Sequence, residues 1–421
     1  MKFIRPAVLN ESLFGGKGRG YVSKIVLFNY PVPPGSELPR EYTEVLDQLG
    51  AKDLQPLPLV NGVACSFPET RVQAISGFQH VFSVEEDLIV RLQPVVQEER
   101  LALMKSDDQI IPTGVARIGA PEVWSKWKGA GVKVAVLDTG IDMEHTDLAA
   151  NYRGGINLIS PGRPPQDDNG HGTHIAGTIG AVDDGKGIIG IAPEVELYAV
   201  KALNNRGEGT ISSIVQALQW CMENGMHIVN MSIGTDTPST AMAQAVRQAA
   251  SHGIVLVAAA GNDGTRNSVD YPAAYPETIA VGAIGDGNDL APFSSRGPEV
   301  TVVAPGMQVL STGLQGTYRR LSGTSMATPH VTGTVAIMLQ AVSGLNHSSV
   351  VKLVQGSAER LPNLASDQQG AGLVRVDRAV SKGSTPPRPK PAPWTWPQPR
   401  PEKFFEWLFG PWFGRPSGHG R

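Results

Sequence analysis

Four short stretches carry residues able to do chemistry. "DDNGHGTHIAGT", Asp167 to Thr178, sets two histidines three positions apart with two aspartates just upstream. That pattern fits a metal site, a base serving a distant nucleophile, or the polar start of a buried helix. "VAVLDTGID" puts Asp138 at the end of an apolar run, where a carboxylate faces a crevice or merely caps a turn. "AAAGNDG" puts Asn262 just past another such run. "LSGTSMATPHVTGTVAIML" puts Ser325 ahead of a long apolar helix. Pro329 falls within the first turn or so of that helix, where a missing N–H costs little.

The chemistry these residue types support together is acyl transfer. A serine hydroxyl is a poor nucleophile until a base takes its proton. Histidine is such a base near neutral pH, and a buried carboxylate fixes its tautomer. The oxyanion that forms needs aimed donors, which the Asn262 amide and the Ser325 N–H at a helix start would provide.

The elements that must position them are legible as alternation. From about residue 112, short β-branched runs ("VKVAVLD", "ELYAVKAL", "HIVNMSI", "IVLVAAA", "TIAVGAI") alternate with helix candidates near 173–182, 210–224 and 238–252. Strands apolar on both faces predict an α/β fold, a mostly parallel sheet covered by helices on each side. The functional crevice of such a sheet lies at the carboxyl ends of its strands, where Asp138, Ser232 and Asn262 fall. Ahead of this, residues 21–104 hold a smaller α+β pattern. "YVSKIVLFNY", "LVNGVACSF" and "HVFSVEEDLIVRL" read as strands and "REYTEVLDQLGA" and "ETRVQAISG" as helices, which is assigned to the ferredoxin-like βαββαβ order although only three of its four strands are named.

Bulk properties exclude other classes. The chain has 421 residues, 41% hydrophobic and 18% charged, with a formal net charge of -3. This is a soluble globular composition without a nucleic-acid footprint. No apolar run is long enough to span a bilayer. Residues 1–20 read as a loose leader with no signal-peptide core, which points inside the cell. Two cysteines, Cys65 and Cys221, rule out a disulfide-built fold. The tail, 382–421, has seven Lys and Arg against two Glu, and four of the seven tryptophans. Its "PPRPKPAP" predicts a polyproline spacer. "EKFFEWLFGPWF" predicts either a segment packed on the protein or an anchor to a membrane surface or another protein.

Taken together, "VAVLDTGID", "HGTHIAGT", "AAAGNDG" and "GTSMATPH" resemble the motifs of the subtilisin family of serine proteases, the subtilases, over roughly residues 109–380. The order Asp, His, Ser is also that of subtilisin. The resemblance implies a serine endopeptidase with Ser325 as nucleophile, His171 as base, Asp138 as its orienter and Asn262 as oxyanion donor. It assigns His174, His145 and His330 to structure and leaves Asp167 and Asp168 as loop polarity. "NNRGEGT" and "NMSIGT" resemble the two strands between which a peptide substrate lies, with Gly207 and Gly209 on one side and Ser232, Ile233 and Gly234 on the other. Ile211, Ile214 and Ile233 would line an apolar pocket for P4. In "RNSVDYPAAYP", the residue at the base of the P1 pocket is Asp270. A carboxylate there implies a preference for Lys or Arg at P1, unless it points to solvent.

The resemblance further implies a structural Ca²⁺ held by oxygen ligands: Gln109, Asp147, Asp184 and the carbonyls of Val182, Lys186 and Ile188. A second family cation site is not expected, because Thr301 stands where an Asp would be needed. Residues 21–104 resemble an inhibitory propeptide that chaperones folding, with residues 105–381 as the catalytic domain and self-cleavage at Met104 or Lys105. The partners implied are peptide or protein substrates and the chain's own propeptide. A propeptide and a calcium site point outside the cell, against the leader. Two rivals remain: a metal hydrolase using His171, His174, Asp167 and Asp168, and an inactive scaffold working through the tail. The first leaves Ser325 and Asn262 without a role. An intact triad speaks against the second.

Overall fold

Alternation within single strands sets the layers. The computed structural model describes residues 20–33, 38–75, 77–93, 98–101 and 108–381. The leader through residue 19, Met104, Lys105 and the tail lie outside them. In the strand Lys133–Asp138, Val134 and Val136 join a core with Ile175 and Ile179 of the helix His171–Gly180 and Val331 and Val335 of the helix Thr324–Ala341. The residues between, Ala135 and Leu137, join a second core with Ile214 and Leu218 of the helix Ile211–Glu223 and Met242 and Ala245 of the helix Thr240–Ser251. A period of two thus feeds both faces of one sheet.

That sheet has seven parallel strands in the order Val300–Pro305, Thr278–Ile284, Val255–Ala259, Ile228–Met231, Lys133–Asp138, Glu196–Lys201, Tyr152–Asn157. The α/β expectation holds. From Lys133–Asp138 the chain runs to the edge strand Tyr152–Asn157, inserts Glu196–Lys201 between them, then crosses to add Ile228–Met231 on the other side. The strand order therefore reverses beside Asp138, which is where such sheets open a crevice.

Residues 21–86 form a separate antiparallel sheet, ordered Lys52–Leu57, Gly62–Pro68, Tyr21–Phe28, Val81–Glu86. Val26, Phe28, Val63, Cys65 and Phe67 pack under Tyr42 and Leu46 of the helix Arg40–Gln48. The opposite face, with Ile25, Leu27, Leu57 and Ala64, packs into the same core as the helices Ile211–Glu223 and Thr240–Ser251. Acidic side chains fix this docking at the two helix starts. Glu85 accepts from Thr240 N (2.8 Å), Ala241 N (3.0 Å) and Ser239 Oγ (2.7 Å). Asp87 accepts from Ser212 N (2.9 Å) and Ser212 Oγ (2.7 Å). Carboxylates at helix N-termini satisfy orphan N–H groups and complement the dipole.

Two differences from the sequence reading stand out. Lys52–Leu57 is a strand although it carries Pro56; it lies at the sheet edge, where a missing donor is tolerated. The run "HVFSVEEDLIVRL" is not one strand. Val81–Glu86 belongs to the small sheet, and Ile89–Leu92 leaves it to pair elsewhere.

Candidate active site

The helix His171–Gly180 starts beside the end of Lys133–Asp138 because Asp167 caps it. This buried carboxylate accepts from Gly170 N (3.0 Å), Thr173 N (2.9 Å), Thr173 Oγ1 (2.6 Å) and Thr139 Oγ1 (2.8 Å). Thr139 Oγ1 in turn accepts from Gly172 N at 3.1 Å. Glycine is required at 172, where a Cβ would strike the Gly140 carbonyl oxygen. The expectation that Asp167 and Asp168 are mere loop polarity is corrected by these contacts. Asp168 pairs with the buried Lys201 at 2.7 Å, and Lys201 also donates to the Thr139 carbonyl at 2.6 Å. The readable signal was only an acid shortly before the first helical histidine, since the N-cap position itself is Gly170. Lys201 gave no signal beyond a charge at the end of a buried strand.

This frame brings His171 to Asp138. His171 Nδ1 lies 2.9 Å from both Asp138 carboxylate oxygens, and both side chains are buried. Thr139 N donates to Asp138 Oδ1 at 2.8 Å, which helps hold the acid in place. His171 Nε2 is buried and has no hydrogen-bond partner among the described residues. His174 is turned away: its Nε2 meets the Val309 carbonyl at 3.0 Å, and burial, then the neighbouring His171, push its pKa down to about 3. His330 is likewise buried, its pKa lowered to about 4 by burial. His145 caps the short helix Thr146–Ala149 through Asp147 N. The candidate metal ligands of the hydrolase rival are thus spent separately: Asp167 on the helix start, Asp168 on Lys201, His174 on a carbonyl and His171 on Asp138.

Ser325 is the second residue of the helix Thr324–Ala341, whose first N–H groups have no intrahelical partner. Its Oγ donates to the Ser232 carbonyl at 3.2 Å, and Ser232 Oγ donates back to the Ser325 carbonyl at 3.1 Å. Pro329 lies past the first turn, not within it. Its missing N–H would have met that Ser325 carbonyl, so the Ser232 hydroxyl takes its place. Asn262 Oδ1 accepts from Thr324 N (3.0 Å) and Thr324 Oγ1 (2.9 Å), which fixes the orientation of the amide beside Ser325.

Glu208–Thr210 and Ile233–Gly234 are strands, and the chain's own Ile89–Leu92 lies between them. It pairs antiparallel with Glu208–Thr210 on one side and Ile233–Gly234 on the other. Leu92 N donates to the Gly207 carbonyl at 2.9 Å. A Cβ at Gly207 would lie 2.7 Å from the Leu92 side chain, so glycine there keeps the groove open. Gly209 has another cause: its Cβ would strike the Ala202 carbonyl oxygen behind it. Val90 is fully buried in the core containing Ile211, Ile214 and Ile233. Past Leu92, the Gln93 side chain donates its amide to Asp270 Oδ2. Asp270 therefore points inward, not to solvent, and is 6% exposed. Burial first, then Asp263 nearby, raise its pKa to about 6.

The cation residues also converge in part. Gln109 reaches the carbonyls of Val182 (2.6 Å) and Ile188 (3.1 Å). Asp147 accepts from Ile188 N (2.9 Å) and the Tyr318 hydroxyl (3.0 Å). The Tyr318 phenol pKa is raised by its burial, then by Asp147 and, further off, Asp184. Asp184 is exposed and accepts from Lys186 N at 3.0 Å within its own loop. Among the described residues no three His, Cys, Asp or Glu side chains cluster as a metal site, so any cation here would rest largely on amide and backbone oxygens. No helix among the described residues is long and apolar enough to cross a membrane.

Comparison with known proteins agrees with this geometry. Residues 129–372 match the family model described as the subtilase family, peptidase S8. The chain is 41% identical to subtilisin E of Bacillus subtilis over 341 residues, 80% of this chain and 85% of that protein. It is 45% identical to subtilisin DY of Bacillus licheniformis over 275 residues, 64% of this chain and 99% of that protein. It is 43% identical to the M-protease of Shouchella clausii over 320 residues, 74% of this chain and 82% of that protein. With its seven-stranded parallel sheet and a sequence matched over this range, the chain belongs to the subtilase family of serine endopeptidases.

Proposed function

We propose that this chain hydrolyses peptide bonds through Ser325, His171 and Asp138, with Asn262 as an oxyanion donor. The observation that carries the reading is the His171 Nδ1 contact to Asp138 at 2.9 Å, with buried Nε2 left to act. With Nδ1–H donated to the carboxylate, the lone pair sits on Nε2. Nε2 takes the Ser325 Oγ proton as Oγ bonds to the substrate carbonyl carbon. The oxyanion formed receives the Ser325 N–H and the Asn262 side-chain amide. His171 then gives its proton to the leaving nitrogen as the C–N bond breaks, and water repeats the cycle to release the acid. Substrate lies as a strand between Gly207–Gly209 and Ser232–Gly234, and Asp270 favours a P1 side chain that can donate to it, Lys and Arg being what the family resemblance implies.

The chain is made as a zymogen in this reading. Residues 21–93 dock on the catalytic domain and fill its groove, and self-cleavage follows in the Met104–Lys105 region. A slow-forming parallel sheet gives a reason for such a template. Gln109, Asp147, Asp184 and the carbonyls of Val182, Lys186 and Ile188 hold a Ca²⁺. The support is that Gln109 and Asp147 meet the loop that carries Val182, Asp184, Lys186 and Ile188, all oxygen-bearing, and the ion would brace that loop without entering the reaction. A propeptide and a calcium brace suit an enzyme working outside the cell. The aromatic, basic tail is proposed on composition as a contact for a membrane surface or another protein.

The test is the N-terminus of the purified chain, wild type against Ser325→Ala. Processing near 104–108 in wild type alone is expected. Identical intact N-termini in both would overturn the self-processing reading.

A further inference from the structure

The segment in the groove carries one side chain that reaches Asp270, that of Gln93. Leu92 N bonds the Gly207 carbonyl, Arg91 pairs with Glu208 and Gly234, and Val90 pairs with Gly209. This register puts Val90 in the apolar P4 position and Gln93, one residue past the paired strand, in the P1 position. Gln93 is 9% exposed, and its amide nitrogen is the group that reaches Asp270. Both flanking walls are glycine. A Cβ at Gly234 would collide with the Gln93 amide nitrogen, and one at Gly261 would lie 2.8 Å from Asp270 Oδ2.

We propose that Asp270 makes the primary pocket a glutamine-accepting one, so that the enzyme cleaves after glutamine preceded by an apolar P4 residue. This rests on the Ser325 reading above. Chain lengths decide among candidates. Glutamine's amide nitrogen already meets the carboxylate. Asparagine is one methylene shorter and falls away from it. Lysine carries its charge one atom further, into space Asp270 occupies. Glutamate sets carboxylate against carboxylate. Methionine, of similar size, leaves Asp270 buried and unpaired, and pockets built around a hydrogen bond reject analogues that lack it. The bond after Gln93 in this chain leads to Pro94. That bond is a tertiary amide whose ring nitrogen carries no N–H and whose bulk crowds the leaving-group side. The segment thus presents a preferred P1 residue in a form the enzyme turns over poorly.

Two measurements test this. First, the wild-type full chain is incubated with a denatured protein mixture and its cut sites are sequenced. Glutamine should exceed methionine at P1 by about 10- to 100-fold, and Asp270→Ala should erase that excess. Cuts after Lys and Arg with glutamine at background would overturn the glutamine proposal and leave the Ser325 reading and basic preference standing. Cuts after Leu, Met and Phe, unchanged in Asp270→Ala, would overturn both specificities. No cleavage at all, in protein that a fluorophosphonate fails to label, would overturn the Ser325 reading itself. Second, Pro94→Ser in the full chain should yield a new N-terminus at residue 94, at least 10-fold slower when Gln93→Met is added. Processing of the Pro94→Ser chain only downstream of 101 would also overturn the proposal.

Discussion

Ser232 and Ser325 exchange hydrogen bonds: each hydroxyl donates to the other's carbonyl, at 3.1 and 3.2 Å. One half of this exchange exists because Pro329 offers no N–H to the Ser325 carbonyl four residues earlier. Ser232→Ala should leave that carbonyl buried without a donor and cost about 1–3 kcal/mol. Pro329→Ala restores a helical donor, so the double variant should recover most of the loss. Urea midpoints of the four proteins check this. A double variant as unstable as the sum of the singles would show that the carbonyl was never the issue.

Asp138 and His171 form the second tight pair, with Nδ1 within 2.9 Å of both carboxylate oxygens. Asp138→Asn preserves shape but offers an N–H where Nδ1–H must donate, which favours the wrong imidazole tautomer. A fall in kcat of about 10⁴-fold is expected, with KM nearly unchanged. A fall of less than tenfold would remove Asp138 from the reaction.

These pairs show what the sequence makes legible. Asp138, Asn262 and Ser325 stand at strand ends and a helix start, so local pattern places them. Both faces of the parallel sheet follow from β-branched runs such as that around Val134 and Val136. What stayed hidden was long-range. Asp167 caps a helix by closing onto Thr139, 28 residues away, and Lys201 joins Asp168 from 33. Nothing local in "VEEDLIVRL" marks the break between Glu86 and Ile89. That break is made by Asp87, drawn to Ser212 across 125 residues. The glycine at 209 fits the substrate pattern, yet its cause is the Ala202 carbonyl behind it.

The calcium assignment predicts separable effects for two acids. Asp147 accepts from Ile188 N and Tyr318, so Asp147→Ala should destabilise with or without the ion. Asp184 is exposed and accepts from Lys186 N within its own loop, so Asp184→Ala should cost little in chelator. It should instead lose the stabilisation that added Ca²⁺ gives the wild type, about 2.7 kcal/mol at a hundredfold excess over Kd. Thermal melts in EDTA and in Ca²⁺ read both. Equal Ca²⁺ response in wild type and Asp184→Ala would remove Asp184 from the ligand set.

Asp87 predicts a pH-dependent grip of residues 21–93 on the catalytic domain. Its carboxyl is buried at the Ser212 helix start, and burial, with a smaller contribution from Glu85, raises its docked pKa to about 6. A raised value means that docking takes up a proton. The favourable contribution is complete below the undocked carboxyl's range, near 4, and is lost as pH rises through about 6. Labelling of Ser325 by a fluorophosphonate in the intact chain reports release of the groove. Its rate also follows His171, so the informative quantity is the ratio to Asp87→Asn, which cannot ionise. The protection of wild type relative to Asp87→Asn should fall between pH 4.5 and pH 7, a change of about 10- to 100-fold. A ratio flat across this range would mean that the Ser212 hydrogen bonds hold Asp87 ionised throughout, and that the grip does not titrate there.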